Sequence, residues 1–145
     1  MLHVLQLDKD RDALKSAGVD SESLIDDGTD WAGKIVEKPW GYESEIYRAG
    51  PVSIWRLVLN PGAETSMHCH TAKETVLIVE SGECVLETFA GSKALRAGDV
   101  VTINKGAFHR TRAPKGAVVL EIETPTNKRD LVRIQDRYGR AGQGY

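Results

Sequence analysis

His68-Cys69-His70 places two imidazoles two positions apart in a stretch that reads as a β-strand. Side chains alternate faces along a strand, so both rings project from one face while Cys69 points to the other. Neutral imidazoles about 7 Å apart along a strand can converge on one metal ion. A third histidine, His109, lies beyond two further strand patterns, where a returning strand can close the site. Three histidines hold a first-row divalent ion and leave positions open for a substrate. His3 has no such partner, and Cys69 and Cys84 read as buried small hydrophobes.

The elements that would carry these rings follow a period of two from Pro39 onward. Val52 to Leu59, Thr75 to Ser81, Glu83 to Phe89, Asp99 to Ile103, His109 to Ala113 and Val118 to Glu123 all read as strands. Turn signals such as Asn60-Pro61-Gly62, Ser81-Gly82, Lys105-Gly106 and Pro114-Lys115-Gly116 separate them. Many short strands at this spacing predict an all-β antiparallel sandwich or barrel. Residues 1–36 differ: Asp10 to Ala17 is helix-forming before Gly18, and Ser21 to Asp27 could form a short turn. This leader reads as an arm covering a sheet edge or dimer seam, anchored by Trp31. The expected division is a leader at 1–36, a barrel domain at 37–140 and a loose tail at 141–145.

A chain of 145 residues with 41% hydrophobic and 28% charged residues can bury one core unaided. A net charge of -2 argues against general nucleic-acid binding. No apolar run is long enough to span a bilayer, and Asp8, Asp10 and Asp12 interrupt any signal-peptide core. Two cysteines in a chain of this size suit reduced thiols and a cytoplasmic setting.

Two stretches resemble the paired motifs of the cupins, a jelly-roll family. In the first, Gly62 is followed by five residues, His68-Cys69-His70, then Glu74 and a closing Gly82. In the second, Gly98 is followed by five residues, Asn104-Lys105-Gly106, two residues and His109, with Asn104 where the family has proline. The resemblance implies a cupin-type jelly-roll β-barrel holding one divalent transition metal ion (Zn, Mn, Fe, Co or Ni). It implies the ligands His68, His70, Glu74 and His109. The family spacing to Gly82 lands on Thr75, one residue beyond Glu74, and one step along a strand turns a side chain to the opposite face. Either the turn after His70 absorbs the extra residue and Glu74 coordinates, or the shell is three histidines and water.

Other stretches resemble the isomerase domain of type II mannose-6-phosphate isomerases, which is often fused to a mannose-1-phosphate guanylyltransferase. They are Lys38-Pro39-Trp40-Gly41-Tyr42-Glu43, Arg56 to Gly62, Asp130-Leu131-Val132-Arg133 and Asp136-Arg137-Tyr138-Gly139-Arg140. The chain departs from that domain at His68, where glutamine is usual, and at Thr75-Val76-Leu77, where Glu-His-Trp is usual. The resemblance implies a metal-dependent aldose–ketose isomerase acting on a sugar phosphate or related anion in carbohydrate biosynthesis. It assigns catalysis to Arg140, with Lys105 beside His109 as a second catalytic candidate. Arg56, Arg133 and Arg110 are candidate phosphate ligands, because a guanidinium is planar and binds phosphate bidentately. Trp40 could stack on a sugar ring at the barrel mouth, or pack beneath the N-terminal edge. A three-histidine iron dioxygenase and a non-catalytic sugar-binding or regulatory module are the alternatives. Exposed strand edges and the leader suggest a homodimer.

Overall fold

The computed structural model describes residues 1–144, and Tyr145, the end of the expected loose tail, lies outside them. In chain order the elements are β1 (Leu2–Val4), α1 (Asp8–Ser16), β2 (Ile35–Lys38), β3 (Gly41–Ala49), β4 (Val52–Leu59), β5 (Ala63–Glu64) and β6 (Met67–Cys69). There follow β7 (Glu74–Thr88), β8 (Gly91–Arg96), β9 (Val100–Ile103), β10 (His109–Ala113), β11 (Ala117–Thr124) and β12 (Val132–Gln135). A single 3₁₀ turn, Ser21–Leu24, interrupts the leader. The all-β expectation holds, with one short helix near the N-terminus. Among the described residues no helix is long and apolar enough to cross a membrane.

The strands curl into two facing layers that share β7. Its first half pairs with β9 and β11, and the layer continues through β4 and β3 to β2. Its second half pairs with β8 and β10, and the second layer continues through β6 to β12. The sequence predicts two strands parted by a turn at Ser81-Gly82, whereas β7 runs unbroken through it. Gly82 supplies the bend at a φ of 78°, where a Cβ would stand 2.6 Å from the carbonyl oxygen of Gly116. Pairing partners change there, so the strand bends without ending.

Alternation sets which side chains enter the interior. On β4, Ser53, Trp55, Leu57 and Leu59 are buried while Arg56 faces outward. Leu77 and Val79 of β7, Val101 and Ile103 of β9, and Val119 of β11 join them in the main core. Each such aliphatic side chain contributes roughly 1.5–3 kcal/mol by leaving water. Met67 and Cys69 pack with Phe108 and Val132 in a second cluster behind the histidines. Several contacts hold the leader to the barrel. β1 runs parallel to β9, the Asp10 carboxylate accepts the backbone N–H of Phe108 at 2.7 Å, and Trp31 meets Trp55 edge to face at 5.9 Å.

Candidate functional site

β6 and β10 carry the histidines into the space between the layers. His68 and His109 are direct cross-strand partners, and His70 follows two positions after His68. The ring centroids of His68 lie 4.5 Å from His109 and 5.1 Å from His70, and one nitrogen from each of the three rings falls within 4.8 Å of the others. A backbone N–H from Gly106 to the carbonyl of His70, at 2.7 Å, ties the turn before β10 to the end of β6.

Each ring is oriented by its other nitrogen. Nδ1 of His68 lies 2.8 Å from the carbonyl oxygen of Ser66, that of His70 lies 2.6 Å from Asp130 O, and that of His109 lies 3.0 Å from Ala107 O. A carbonyl only accepts, so this network assigns the proton to Nδ1 in all three rings and leaves the Nε2 lone pairs free. Burial drives His109 down to about 4. His68 and His70 are also held well below the usual histidine range, by burial first and then by the nearby His109 for His68 and Lys73 for His70. The imidazoles are therefore neutral ligands at pH 7. Nε2 of His70 is buried with no hydrogen-bond partner, a cost that an electron-pair acceptor would remove. The group fits a divalent metal, and His68, His70 and His109 are the residues that could hold it.

Glu74 stands at the start of β7 with an exposed side chain, outside this group, while Thr75 faces inward at 1% exposure. The extra residue before Gly82 is not absorbed by the turn, so alternation sends the carboxylate outward. Cys69 turns away from the imidazoles and is fully buried, which pushes its thiol up to about 12.

His68 and His70 open onto a cavity of about 50 Å³. Trp40, Leu57, Lys38, Glu43, Lys73, Glu121, Lys128, Arg133 and Arg140 help line it. Arg133 donates to Ser66 Oγ at 3.0 Å and to the carbonyls of Gln143 and Gly144. Burial and then the nearby Arg140 lower its affinity for the proton. Arg140 is held by Asp136 through two side-chain hydrogen bonds of 2.9 Å. Lys128 meets Glu43 at 2.6 Å and lies 3.8 Å from the centre of the Trp55 ring. Lys73 is buried against Glu123, which also accepts from Ser53, Trp55 and Thr126. Burial raises Glu121, which faces Nε2 of His70 at 3.8 Å.

Of the expected catalytic and substrate-binding residues, the structure brings Arg133, Arg140 and Trp40 to the cavity and leaves Arg56, Arg110 and Lys105 outside it. Arg56 pairs with Glu80 at 2.9 Å on the outer face of β4, and Arg110 pairs with Glu87 at 2.8 Å on the outer face of β10. Both neighbour an inward residue, Trp55 and His109 respectively, so alternation turns them out. Lys105 is exposed in the turn before His109. Lys38, Glu43, Lys73, Glu121 and Lys128 were not predicted. The signal for Glu121 was its parity with Val119 on an apolar strand, which marks an inward charge.

The Cupin domain family matches residues 55–123. The mannose-1-phosphate guanylyltransferase of Escherichia coli is 30% identical over 113 residues, covering 72% of this chain and 23% of that protein. This chain thus spans about a quarter of the length of that relative. Among solved structures, a cupin-superfamily sugar phosphate isomerase of Silicibacter pomeroyi is 20% identical with a TM-score of 0.55, covering 59% of each chain. An RmlC-like cupin of Shewanella frigidimarina is 21% identical with a TM-score of 0.60, covering 64% of this chain and 84% of its own. At these identities the likeness is one of fold.

Proposed function

The chain belongs to the cupin superfamily, and on that footing we propose that it is a metal-dependent enzyme acting on a sugar phosphate, an aldose–ketose isomerase like the mannose-6-phosphate isomerases. One observation carries this reading: three neutral imidazoles converge beside the guanidinium groups of Arg133 and Arg140. A bound divalent ion supplies a Lewis acid for the carbonyl end of the substrate. Arg133 and Arg140 suit the phosphate, with Lys128 and Lys38 adding positive charge at the same mouth. Trp40, 5% exposed, forms an apolar wall. Arg140 is the lining arginine to which the family resemblance assigns catalysis.

Small-molecule sites usually exceed ~300 Å³, and the cavity here is about 50 Å³. Admission of a hexose phosphate therefore requires Arg140 and Lys128 to swing outward, which their long side chains allow. That small volume, with threonine in place of the motif glutamate, supports a second reading: a three-histidine iron enzyme using dioxygen on a smaller substrate. Free, buried Cys69 and Cys84 support a cytoplasmic setting, and the exposed Ile35, Ile46 and Tyr47 near the β2 edge support a homodimer.

Elemental analysis of the purified protein, with a mannose 6-phosphate to fructose 6-phosphate assay, tests the proposal. Stoichiometric zinc, manganese, cobalt or nickel with chelator-sensitive turnover is expected. Iron with oxygen uptake would select the second reading. Tight sugar-phosphate binding without turnover would make the protein a binding module.

A further inference from the structure

We propose that Glu121 is the carboxylate of the metal group, supplied from β11 in place of the glutamate that the motif sets on the strand after His-x-His. The inference rests on the reading of His68, His70 and His109 as metal ligands. Thr75 faces inward at the motif position and Glu74 is exposed, so β7 offers the site no carboxylate. Glu121 enters from the opposite layer, where its cross-strand partners are Leu77 of β7 and Trp55 of β4.

The contact between Glu121 and His70 has an unusual sign. With the proton of His70 on Nδ1, its Nε2 carries a lone pair, and Oε1 of Glu121 carries lone pairs as well. The two atoms face each other at 3.8 Å, too far for a hydrogen bond, and Nε2 is buried with no hydrogen-bond partner. Two acceptors opposed in a low-dielectric interior repel unless a cation lies between them. Two ligands each about 2.1 Å from one ion stand roughly 3.0 to 4.2 Å apart, from a right angle to a straight line. The observed separation falls in that interval. Glu121 lies outside the 4.8 Å triplet of nitrogens, so coordination beside all three rings requires its side chain to turn toward them.

Calorimetric titration of the chelator-stripped full chain with Co²⁺ tests the assignment, alongside the visible absorption of the Co²⁺ protein. Glu121→Gln keeps the shape and removes the charge. It should weaken Co²⁺ binding by about 10-fold or more and shift the absorption bands. Glu121→Asp, which keeps a shorter carboxylate, should retain part of the affinity and answers the question if the glutamine variant does not fold. Wild-type uptake of Co²⁺ with unchanged affinity and spectrum in the variants overturns the role of Glu121 alone. A wild-type protein that takes up no Co²⁺ overturns the metal reading and the inference with it.

Discussion

The backbone carbonyl of Asp130 accepts the Nδ1–H of His70 at 2.6 Å, and the carboxylate of the same residue gathers the loop that follows that histidine. Oδ1 accepts the Thr71 backbone N–H and hydroxyl at 2.8 and 2.9 Å, and Oδ2 accepts the backbone N–H groups of Ala72 and Lys73 at 2.8 and 2.9 Å. The aspartate is fully buried. A residue far along the chain thus fixes both a candidate ligand and the path of the chain leaving it. Asp130→Ala should cost about 3 kcal/mol, because donors are left unsatisfied in the interior. It should also weaken metal binding about 10- to 100-fold through the loosened ring. Denaturant unfolding and metal titration of the variant check both. Unchanged metal affinity would mean that the ring keeps its orientation without this clamp.

The histidine pair was legible because alternation on a strand is a rigid geometric rule, and His109 because its turn has a recognisable spacing. Glu74 was not decided by sequence, since it depends on whether a loop absorbs one residue, and only the register of β7 against β11 answers that. Arg110 sits beside His109, whose spacing already marks it as facing inward, so alternation alone turns it out, whereas Arg56 turns out because its neighbour Trp55 is buried at 1% exposure. Lys73 and Lys128 were hidden for a different reason. Their burial depends on Glu123 and Glu43, which other strands supply, and a linear pattern does not show such pairings. The bend at Gly82 was legible as a glycine but not as continuity, because pairing partners on both sides decide whether a strand stops.

His109→Ala removes the one ring that β10 contributes to the group. The alanine leaves a small cavity beside the other two rings, and the strand pairing of β10 with β6 and β7 is made by backbone groups that stay intact. Losing one ring from so small a ligand set weakens the hold on a divalent ion steeply, even with Glu121 beside the other two histidines. The variant should therefore fold, with an unchanged far-ultraviolet circular dichroism spectrum, and retain no stoichiometric metal after dialysis. Stoichiometric metal in the folded variant would place the ion elsewhere.

The metal-free protein should lose stability as pH falls below about 6.5, the ordinary histidine value. Burial lowers His109 to about 4, so between these values the unfolded chain binds a proton that the folded chain refuses. Stability rises with pH wherever the unfolded state holds more protons, so this contribution is complete above pH 6.5 and is lost as pH falls toward 4. For His109 the loss is on the order of 3 kcal/mol, and His68 and His70 act in the same direction. Glu121 acts oppositely, since burial raises it and protonation favours the folded state. Comparing wild type with His109→Gln cancels the groups they share. Urea unfolding of both at pH 7.5 and pH 5 should show the smaller pH effect in the variant, and equal effects would contradict the buried neutral ring.

Arg140 lines the cavity mouth, braced by Asp136, and does not belong to the histidine group. Removing its guanidinium should separate anion binding from metal binding. Arg140→Ala should weaken mannose 6-phosphate at least about 10-fold, the order expected when a charge-assisted pair of about 1.5–3 kcal/mol is lost. Mannose without its phosphate should bind the variant and the wild type alike, and metal content should not change. The Asp136 carboxylate is wholly covered in the wild type, but the variant keeps the backbone N–H of residue 140 as its donor at 2.8 Å, so the fold should survive. Thermal-shift titration with both sugars makes the comparison, because a ligand that binds the folded state raises its stability by mass action. Equal shifts with mannose 6-phosphate in the two proteins would remove Arg140 from the phosphate site and leave Arg133 to hold it.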